Sequence, residues 1–364
     1  MTILQKSIFA VALWTAPMFA ATNFRVTLLI ADQAGVAAVT DPNLVGTWGI
    51  SVSAASPFWV SNTSNGTSTV YTASAANPAT LTAPTVNAIV VAIPPSANNK
   101  ASKTGTPTGQ VANGYGAGTF EVVPGMAASF IFATLDGTIS ARGGATAVIK
   151  VDNGAMGAVY TGLAIGVSSA GPTLYAANFS KGTIDTFDRT WKPITLGGGF
   201  LDPDLPTSYF PSNIQRYGRR LYVTYNLSDG AGSYAYSGSG TGLVNVFDVN
   251  GNLLDRLVPV NPYMNLPWGV AVTGANFGSF SYALVVGNFG DGTISAFDIV
   301  SGNYLGTMQD GKGNNISIDG LWGLQWGNGG SGGEAATLYF AAAPAGGTHG
   351  LFGSLRPMAD STLQ

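Results

Sequence analysis

The chain has 364 residues, no cysteine and a formal net charge of -3 at pH 7. A chain of this length can bury a large hydrophobic core, so it needs neither disulfides nor a metal ion in order to fold. Only 9% of the residues are charged and 50 are glycine, a composition typical of many short strands joined by tight turns. Lysine and arginine are scattered singly, without the basic stripe that neutralises phosphates, so the sequence argues against nucleic-acid binding.

The N-terminal stretch MTILQKSIFAVALWTAPMFAAT places Lys6 before an apolar run and ends that run in small residues. This pattern is typical of a secretory signal peptide, which we predict over residues 1–21, followed by a single domain over residues 22–364. A buried N-terminal strand is the alternative. No later segment has the ~20 unbroken apolar residues of a membrane-spanning helix, so we expect a secreted, periplasmic or extracellular protein without a membrane span.

The stretch VGNFGDGTISAFD, residues 286–298, has near-copies along the chain: an apolar strand, a tight turn and a second strand that opens with glycine. Six copies align on this glycine, at Gly66, Gly137, Gly182, Gly242, Gly292 and Gly347. A second repeated position lies in the first strand of each unit. It recurs every 51 to 60 residues, at Gly49, Gly109, Gly162, Asn213, Gly269 and Gly323. Several strands per unit at this period predict an all-β fold, a six-bladed β-propeller with four-stranded blades.

The segment FRVTLLIAD, residues 24–32, precedes the first inner strand and has no repeat unit of its own. We predict that it pairs as an outer strand with the sixth blade, near HGLFGSL (349–355), because this pairing closes the ring and removes an exposed edge.

Several motifs carry a resemblance, among them LPWGVAV, IDGLWGLQWGNGG and HGLFGSL. From about Phe24 to Leu355 the chain resembles a bacterial family of exported six-bladed propeller proteins whose blades are similar to NHL repeats. That family has no assigned activity, so the resemblance implies the fold and export but no mechanism.

His349 is the only histidine. Its repeat position holds Ile184 and Ile294 in other copies, so we expect it on a strand face with a structural role. A single histidine without cysteine excludes Cys/His zinc sites and multi-histidine metal cages.

Three tryptophans, Trp48, Trp268 and Trp322, precede the inner-strand glycine in the first, fifth and sixth copies. We expect them to pack between neighbouring blades, since the side chains of an inner strand project onto the two blade faces. An aromatic half-ring that lines the central tunnel is the alternative. The adjacent glycines are expected because the backbones crowd near the axis.

Four aspartates, Asp41, Asp202, Asp204 and Asp319, lie in connections that lead into inner strands, so the topology predicts them at one end of the ring. A Gly/Ser-rich insertion in the fourth copy, residues 228–240, is expected to place Tyr234 and Tyr236 over the same end, and a disordered insertion without function is the alternative. We take these six residues as candidate ligand-binding residues. Oxygen ligands in such a cluster suit Ca²⁺, whereas solvated loops are the alternative.

No catalytic residue set stands out, so we expect a monomeric, non-enzymatic binding or scaffold module. Its extracellular ligand would be a glycan, a peptide or a small molecule. The alternative is a calcium-dependent, lactonase-like hydrolase with its site at the tunnel mouth. The presence of only two glutamates, Glu121 and Glu334, counts against that enzyme.

Overall fold

The computed structural model describes residues 23–73, 83–229 and 238–358. Strands make up 51% of the structure and helix 3%, which confirms the predicted all-β class. Helical turns occur at Gly154–Met156, Gly278–Phe280 and Pro344–Gly347. Within the described ranges, no helix has the length and apolar character needed to cross a bilayer. The predicted signal peptide lies outside the described residues.

The described residues form twenty-seven strands, numbered in chain order. The first nine are β1 (Phe24–Ala31), β2 (Val39–Thr40), β3 (Thr47–Ser51), β4 (Phe58–Asn62), β5 (Thr67–Thr72), β6 (Thr85–Ala92), β7 (Pro107–Ala112), β8 (Glu121–Val123) and β9 (Met126–Ala127). The next nine are β10 (Phe130–Thr134), β11 (Thr138–Arg142), β12 (Ala147–Asp152), β13 (Tyr160–Ser168), β14 (Gly171–Asn178), β15 (Thr183–Asp188), β16 (Pro193–Ile194), β17 (Tyr209–Tyr217) and β18 (Arg220–Leu227). The last nine are β19 (Gly242–Asp248), β20 (Leu253–Val258), β21 (Pro267–Val272), β22 (Ala283–Asn288), β23 (Ile294–Asp298), β24 (Tyr304–Thr307), β25 (Leu321–Trp326), β26 (Leu338–Ala342) and β27 (Leu351–Pro357).

The strands form six blades of the predicted propeller, and in the first five the inner strand comes first in the chain. In order, the blades are β3-β4-β5-β6, β7-β10-β11-β12, β13-β14-β15-β16, β17-β18-β19-β20, β21-β22-β23-β24 and β25-β26-β27-β1. The short hairpin β8-β9 stands apart from the blades. We call the face at which the inner strands begin, which carries residues 41–46 and 343–350, the proximal face. The face at which they end, which carries residues 52–57 and 327–337, is the distal face.

The ring closes through the N-terminal strand. β1 runs antiparallel to β27, with Val26 opposite Leu355, and the two-residue strand β2 extends this sheet in parallel. The predicted closure is therefore confirmed. Burial supports it, because Phe24 and Leu355 belong to one hydrophobic cluster with residues of the fifth blade.

The sixth blade departs from the aligned repeat. Leu351 pairs with Ala342 there as Thr67 pairs with Asn62 in the first blade, so the glycine equivalent to Gly66 is Gly350. The alignment on Gly347 was wrong by three residues, because this hairpin accommodates a helical turn. His349 consequently lies in the turn before β27, and the prediction that it sits on a strand face was wrong.

Buried asparagines fix the turns of several blades. The Asn62 amide donates to Thr69 Oγ1 at 3.0 Å, and the Asn288 amide donates to Thr293 Oγ1 at 3.1 Å. Gly66 and Gly292 close these turns with φ of 69° and 72°, a conformation that favours glycine. Side-chain hydrogen bonds thus specify the repeated hairpin.

The inner strands approach one another closely around the axis. A Cβ added to Gly49 would lie 2.4 Å from the Thr108 carbonyl oxygen, and one added to Gly109 would lie 2.7 Å from the Gly162 Cα. A Cβ on Gly323 would lie 2.6 Å from Cγ2 of Ile50, which belongs to the first blade. The expected crowding of backbones near the axis is confirmed.

The Gly109→Ala variant tests this crowding. Its methyl group would meet backbone that cannot rotate away, so we expect a loss of about 1–3 kcal/mol in the free energy of unfolding, measured by urea titration. Gly114→Ala is the control, since nothing lies within 4 Å of the added Cβ; we expect its stability to stay within about 0.5 kcal/mol of wild type. Equal stability of the two variants would contradict close packing at the axis.

Candidate functional site

Every inner strand carries a β-bulge near its beginning. The pairing register shifts by one residue between 47 and 50, between 107 and 110, between 160 and 162, between 211 and 213, between 267 and 270, and between 321 and 324. A bulge leaves the extra residue unpaired and turns its side chain away from the direction that regular alternation dictates.

Three of these bulges hold tryptophans that meet at the axis. The ring centroids of Trp48 and Trp322 lie 3.8 Å apart with the rings stacked, and Trp268 meets Trp322 edge-on at 6.0 Å. Trp48 also lies 6.4 Å from Trp268, although the first and fifth blades are not neighbours. The expectation of packing only between adjacent blades was wrong, because the bulges turn these rings inward. The axial alternative is the better description.

The opposite half of the ring holds small hydroxyl residues in the same register. Thr108 Oγ1 donates to the Tyr160 carbonyl oxygen at 2.7 Å, and Ser212 Oγ donates to the Pro267 carbonyl oxygen at 3.1 Å. Each bond joins one blade to the next. Because these side chains are small, the space at the axis is available for the three tryptophan rings.

The tryptophans close the axis toward the proximal face. Phe289, from the turn after β22, stacks on Trp322 with ring centroids 3.9 Å apart. Ala343 and Leu135, from the equivalent turns of two other blades, pack on the same cluster. The cluster therefore forms a solid aromatic floor across the axis.

Above this floor lies a cavity of about 180 Å³ that we call the axial cup. Residues from the inner strands of all six blades line it, among them Ser51, Gln110, Leu163, Gln215, Arg216, Trp268 and Gln325. Trp268 at the base is only 5% exposed, whereas Gln325 is half-buried and Arg216 is exposed. The cup therefore opens at the distal face.

Side-chain hydrogen bonds hold the wall of the cup, and most come from β17. Asn213 Nδ2 donates to the Trp268 carbonyl oxygen at 2.9 Å, and Tyr217 Oη donates to the Val270 carbonyl oxygen at 3.1 Å. Gln215 Nε2 donates at 3.3 Å to the carbonyl oxygen of Leu324, two blades away. The strand of the fourth blade thus braces the fifth and sixth, so the cup is pre-organised.

Two buried polar atoms of lining residues have no hydrogen-bond partner among the described residues: Trp268 Nε1 and Ser51 Oγ. Trp48 Nε1, in the floor beneath, is likewise buried without a partner. Buried donors are nearly always satisfied, and each unsatisfied one costs about 1–3 kcal/mol. These atoms are buried within the wall and the base, out of reach of solvent in the cup.

Asp41 and Asp202 serve as internal anchors of the proximal connections. Tyr71 Oη donates to Asp41 Oδ2 at 2.8 Å, and burial raises the pKa of the Tyr71 hydroxyl. Arg256 donates three hydrogen bonds to Asp202, with an Nη2–Oδ1 distance of 2.7 Å. Burial opposes ionisation of Asp202, but the bonds from Arg256 and Asn245 outweigh it and hold the pKa of this carboxyl below its usual range.

Asp204 and Asp319 are exposed. The backbone N–H of Asp204 donates to Asp202 Oδ1, and Asp319 Oδ2 accepts from the Ala345 backbone N–H at 2.8 Å. All four candidate aspartates do lie in connections that lead into inner strands. Within the described ranges, however, no group of three or more His, Cys, Asp or Glu side chains is placed to hold a metal ion. Tyr234 and Tyr236 lie outside the described residues.

His349 joins the two ends of the closing strand pair. Its Nδ1 lies 2.7 Å from Asp32 Oδ2, just past β1, and the Gly350 backbone N–H donates to Asp32 Oδ1. This contact agrees with the structural role expected for the histidine.

The polar residues of the cup were not among the sequence-based candidates. A signal was present, because the motifs TGQVA, SNIQR and WGLQW place a glutamine one or two residues after the aligned Gly109, Asn213 and Gly323. Glutamine is unusual in an otherwise apolar inner strand.

The fold and the axial cup together define a six-bladed β-propeller. A comparison with models of known protein families finds no match. Uncharacterized protein R648 of Acanthamoeba polyphaga mimivirus is 30% identical over 322 residues, which cover 85% of this chain and 75% of that protein. The chain belongs to the same family as this mimivirus protein.

A second relative is Uncharacterized protein L690 of the same virus. It is 35% identical over 202 residues, which cover 54% of this chain and 51% of that protein, so the chain spans about half of its length. Because both relatives are mimivirus proteins, the expectation of a bacterial family finds no support.

Solved structures share the fold. Virginiamycin B lyase from Staphylococcus aureus is 12% identical with a TM-score of 0.51, covering 92% of this chain and 100% of that one. A gluconolactonase from Xanthomonas campestris is 13% identical with a TM-score of 0.37, covering 63% and 82%. The first likeness supports the propeller fold, and neither bears on activity.

The Asp202→Asn variant tests the anchoring role. It leaves Arg256 without its ion pair, so we expect a loss of about 1.5–3 kcal/mol in the free energy of unfolding at pH 7. Because folding lowers the pKa of Asp202 below its usual 3.8, the wild-type advantage should be complete above that value and vanish as the pH falls through the folded-state pKa. Asp204→Asn, at an exposed position, is the control and should stay within about 0.5 kcal/mol of wild type. Equal urea midpoints for both variants at pH 7 would contradict the anchor.

Proposed function

We propose that this propeller is a non-enzymatic binding module whose ligand occupies the axial cup. The observation that carries the proposal is a concave cavity built by the inner strands of all six blades, with Gln215, Arg216 and Gln325 among its polar lining residues. A binding site typically offers a concave surface with a few converging polar groups.

The size and rigidity of the cup support a small ligand. Its volume of about 180 Å³ is below the ~300–1,000 Å³ of pockets for drug-sized ligands. The braces from Gln215 and Tyr217 fix the wall before a ligand arrives, which lowers the entropic cost of binding. The aromatic floor prevents passage through the ring, so the ligand enters and leaves at the distal face.

We propose further that the module works outside the cell. The supporting observation is the signal-peptide pattern of residues 1–21, and the assignment of the blades as NHL-like repeats remains part of the same proposal. A monomer suffices for this role, since the cup is complete within one chain.

A ligand screen tests the proposal. Small sugars, organic acids and amino acids are added to the protein, and we expect at least one to raise the melting temperature. The Gln325→Ala variant should lose most of that gain, because Gln325 lines the cup. Gln309→Ala is the matched control, since Gln309 is also half-buried but is not a lining residue. A gain that survives Gln325→Ala, or no gain with any compound, would contradict the proposal.

The calcium-dependent hydrolase makes a different prediction. Its carboxylates would have to leave existing partners, since Asp41 binds Tyr71 and Asp202 binds Arg256. Calcium at 100 times its dissociation constant would stabilise a protein that binds it in the folded state by about 2.7 kcal/mol. We expect calcium titration to leave the melting temperature unchanged, with magnesium as the control for ionic strength. A calcium-specific rise would favour the hydrolase.

A further inference from the structure

We infer that the ligand of the axial cup is a small hydroxycarboxylate, an acid of the sugar-acid type. This inference rests on the proposed function and adds the chemical class of the ligand. Two features of the cup support it: its charge and its amide groups.

The charge of the cup comes from one residue. Among the described residues that line the cavity, Arg216 is the only one with a charged side chain, and none is acidic. Arg216 is exposed at the opening, so its charge faces whatever enters. A positive group at the mouth of a cavity without acidic residues attracts anions and repels cations.

The guanidinium is held in place. Its Nε donates to the Ile165 carbonyl oxygen and its Nη1 donates to the Gly218 carbonyl oxygen, both at 2.7 Å. These two bonds fix the plane of the group, and Nη2 remains for a ligand. A fixed guanidinium suits a carboxylate, whose oxygens accept charge-assisted hydrogen bonds.

The wall offers polar groups that suit hydroxyls. Hydroxyl groups donate to amide oxygens, which Gln215 and Gln325 supply from the wall. An indole at the base also provides an apolar surface for the C–H face of a polyol.

Matched pairs of probes test the charge and the hydroxyls separately. D-glucuronate is compared with D-glucose, and D-gluconate with D-glucitol, by calorimetric titration with tryptophan fluorescence as a second readout. We expect an acid to bind at least tenfold more tightly than its neutral partner. The affinity for the acid should fall as the salt concentration rises from 0.05 to 0.5 M, because salt screens the exposed guanidinium.

Substitution of Arg216 locates the effect. Arg216→Gln should weaken binding of the acid about 10- to 100-fold and weaken binding of the neutral partner much less, since a hydrogen bond to a charged group contributes ~1.5–3 kcal/mol. Arg219→Gln is the control, because Arg219 is exposed nearby and does not line the cup. If Arg216→Gln fails to fold, the salt dependence of the wild type still tests the charge, and Arg216→Lys, which keeps the charge, tests the geometry of the guanidinium.

The two hypotheses fail in distinguishable ways. Equal affinity for the acid and its neutral partner, without an effect of Arg216→Gln, would overturn the carboxylate inference while leaving a binding cup. Binding of a plain carboxylate such as propionate as tightly as the hydroxy acids would overturn the part played by the hydroxyls. Failure of every probe and every compound in the broader screen would overturn the proposed function itself.

Discussion

The close approach of six inner strands around one axis is the constraint on which the rest of this structure depends. At most blades only glycine fits at the narrowest level, as shown by Gly49 and Gly109, where an added Cβ would lie under 3 Å from the next strand. The fourth blade instead has Asn213, whose side chain bonds to the Trp268 backbone of the fifth blade. At this level, most neighbouring blades are therefore held together by van der Waals contact, and the fourth and fifth blades are held together by a hydrogen bond.

The same constraint makes an asymmetric site from similar repeats. All six inner strands bulge at one level, but three of them place an indole there and three a small residue such as Thr108. Three indoles suffice to fill the axis. On the distal side of them, Gln215 of β17 hydrogen-bonds to the backbone of β25 across the axis. Fold similarity to a lyase thus says little about chemistry, since the chemistry resides in these unequal positions.

The sequence was sufficient to predict the fold because repetition reports directly on architecture. Spaced glycines revealed six blades, and the unassigned segment 24–32 identified the closing strand. The site was harder to predict because a bulge has no reliable sequence signal, so regular alternation placed Trp48 between blades. The aspartates were placed in the right connections, but topology does not reveal that Asp202 already has Arg256 as its partner. The glutamines of the cup were visible only as exceptions in aligned apolar strands.

The seam between β1 and β27 has a consequence for assembly. The Met358 backbone N–H donates to the Asn23 carbonyl oxygen at 2.7 Å, so the last blade is completed by the first strand of the described chain. At equilibrium this long closure is inexpensive, because loop entropy rises only by ~0.6 kcal/mol for each doubling of length. During folding, however, the edges of β1 and β27 stay unpaired until the sixth blade has formed. Such non-local pairing is slow. We expect strand-swapped dimers to arise in that interval, when β1 of one molecule pairs with β27 of another.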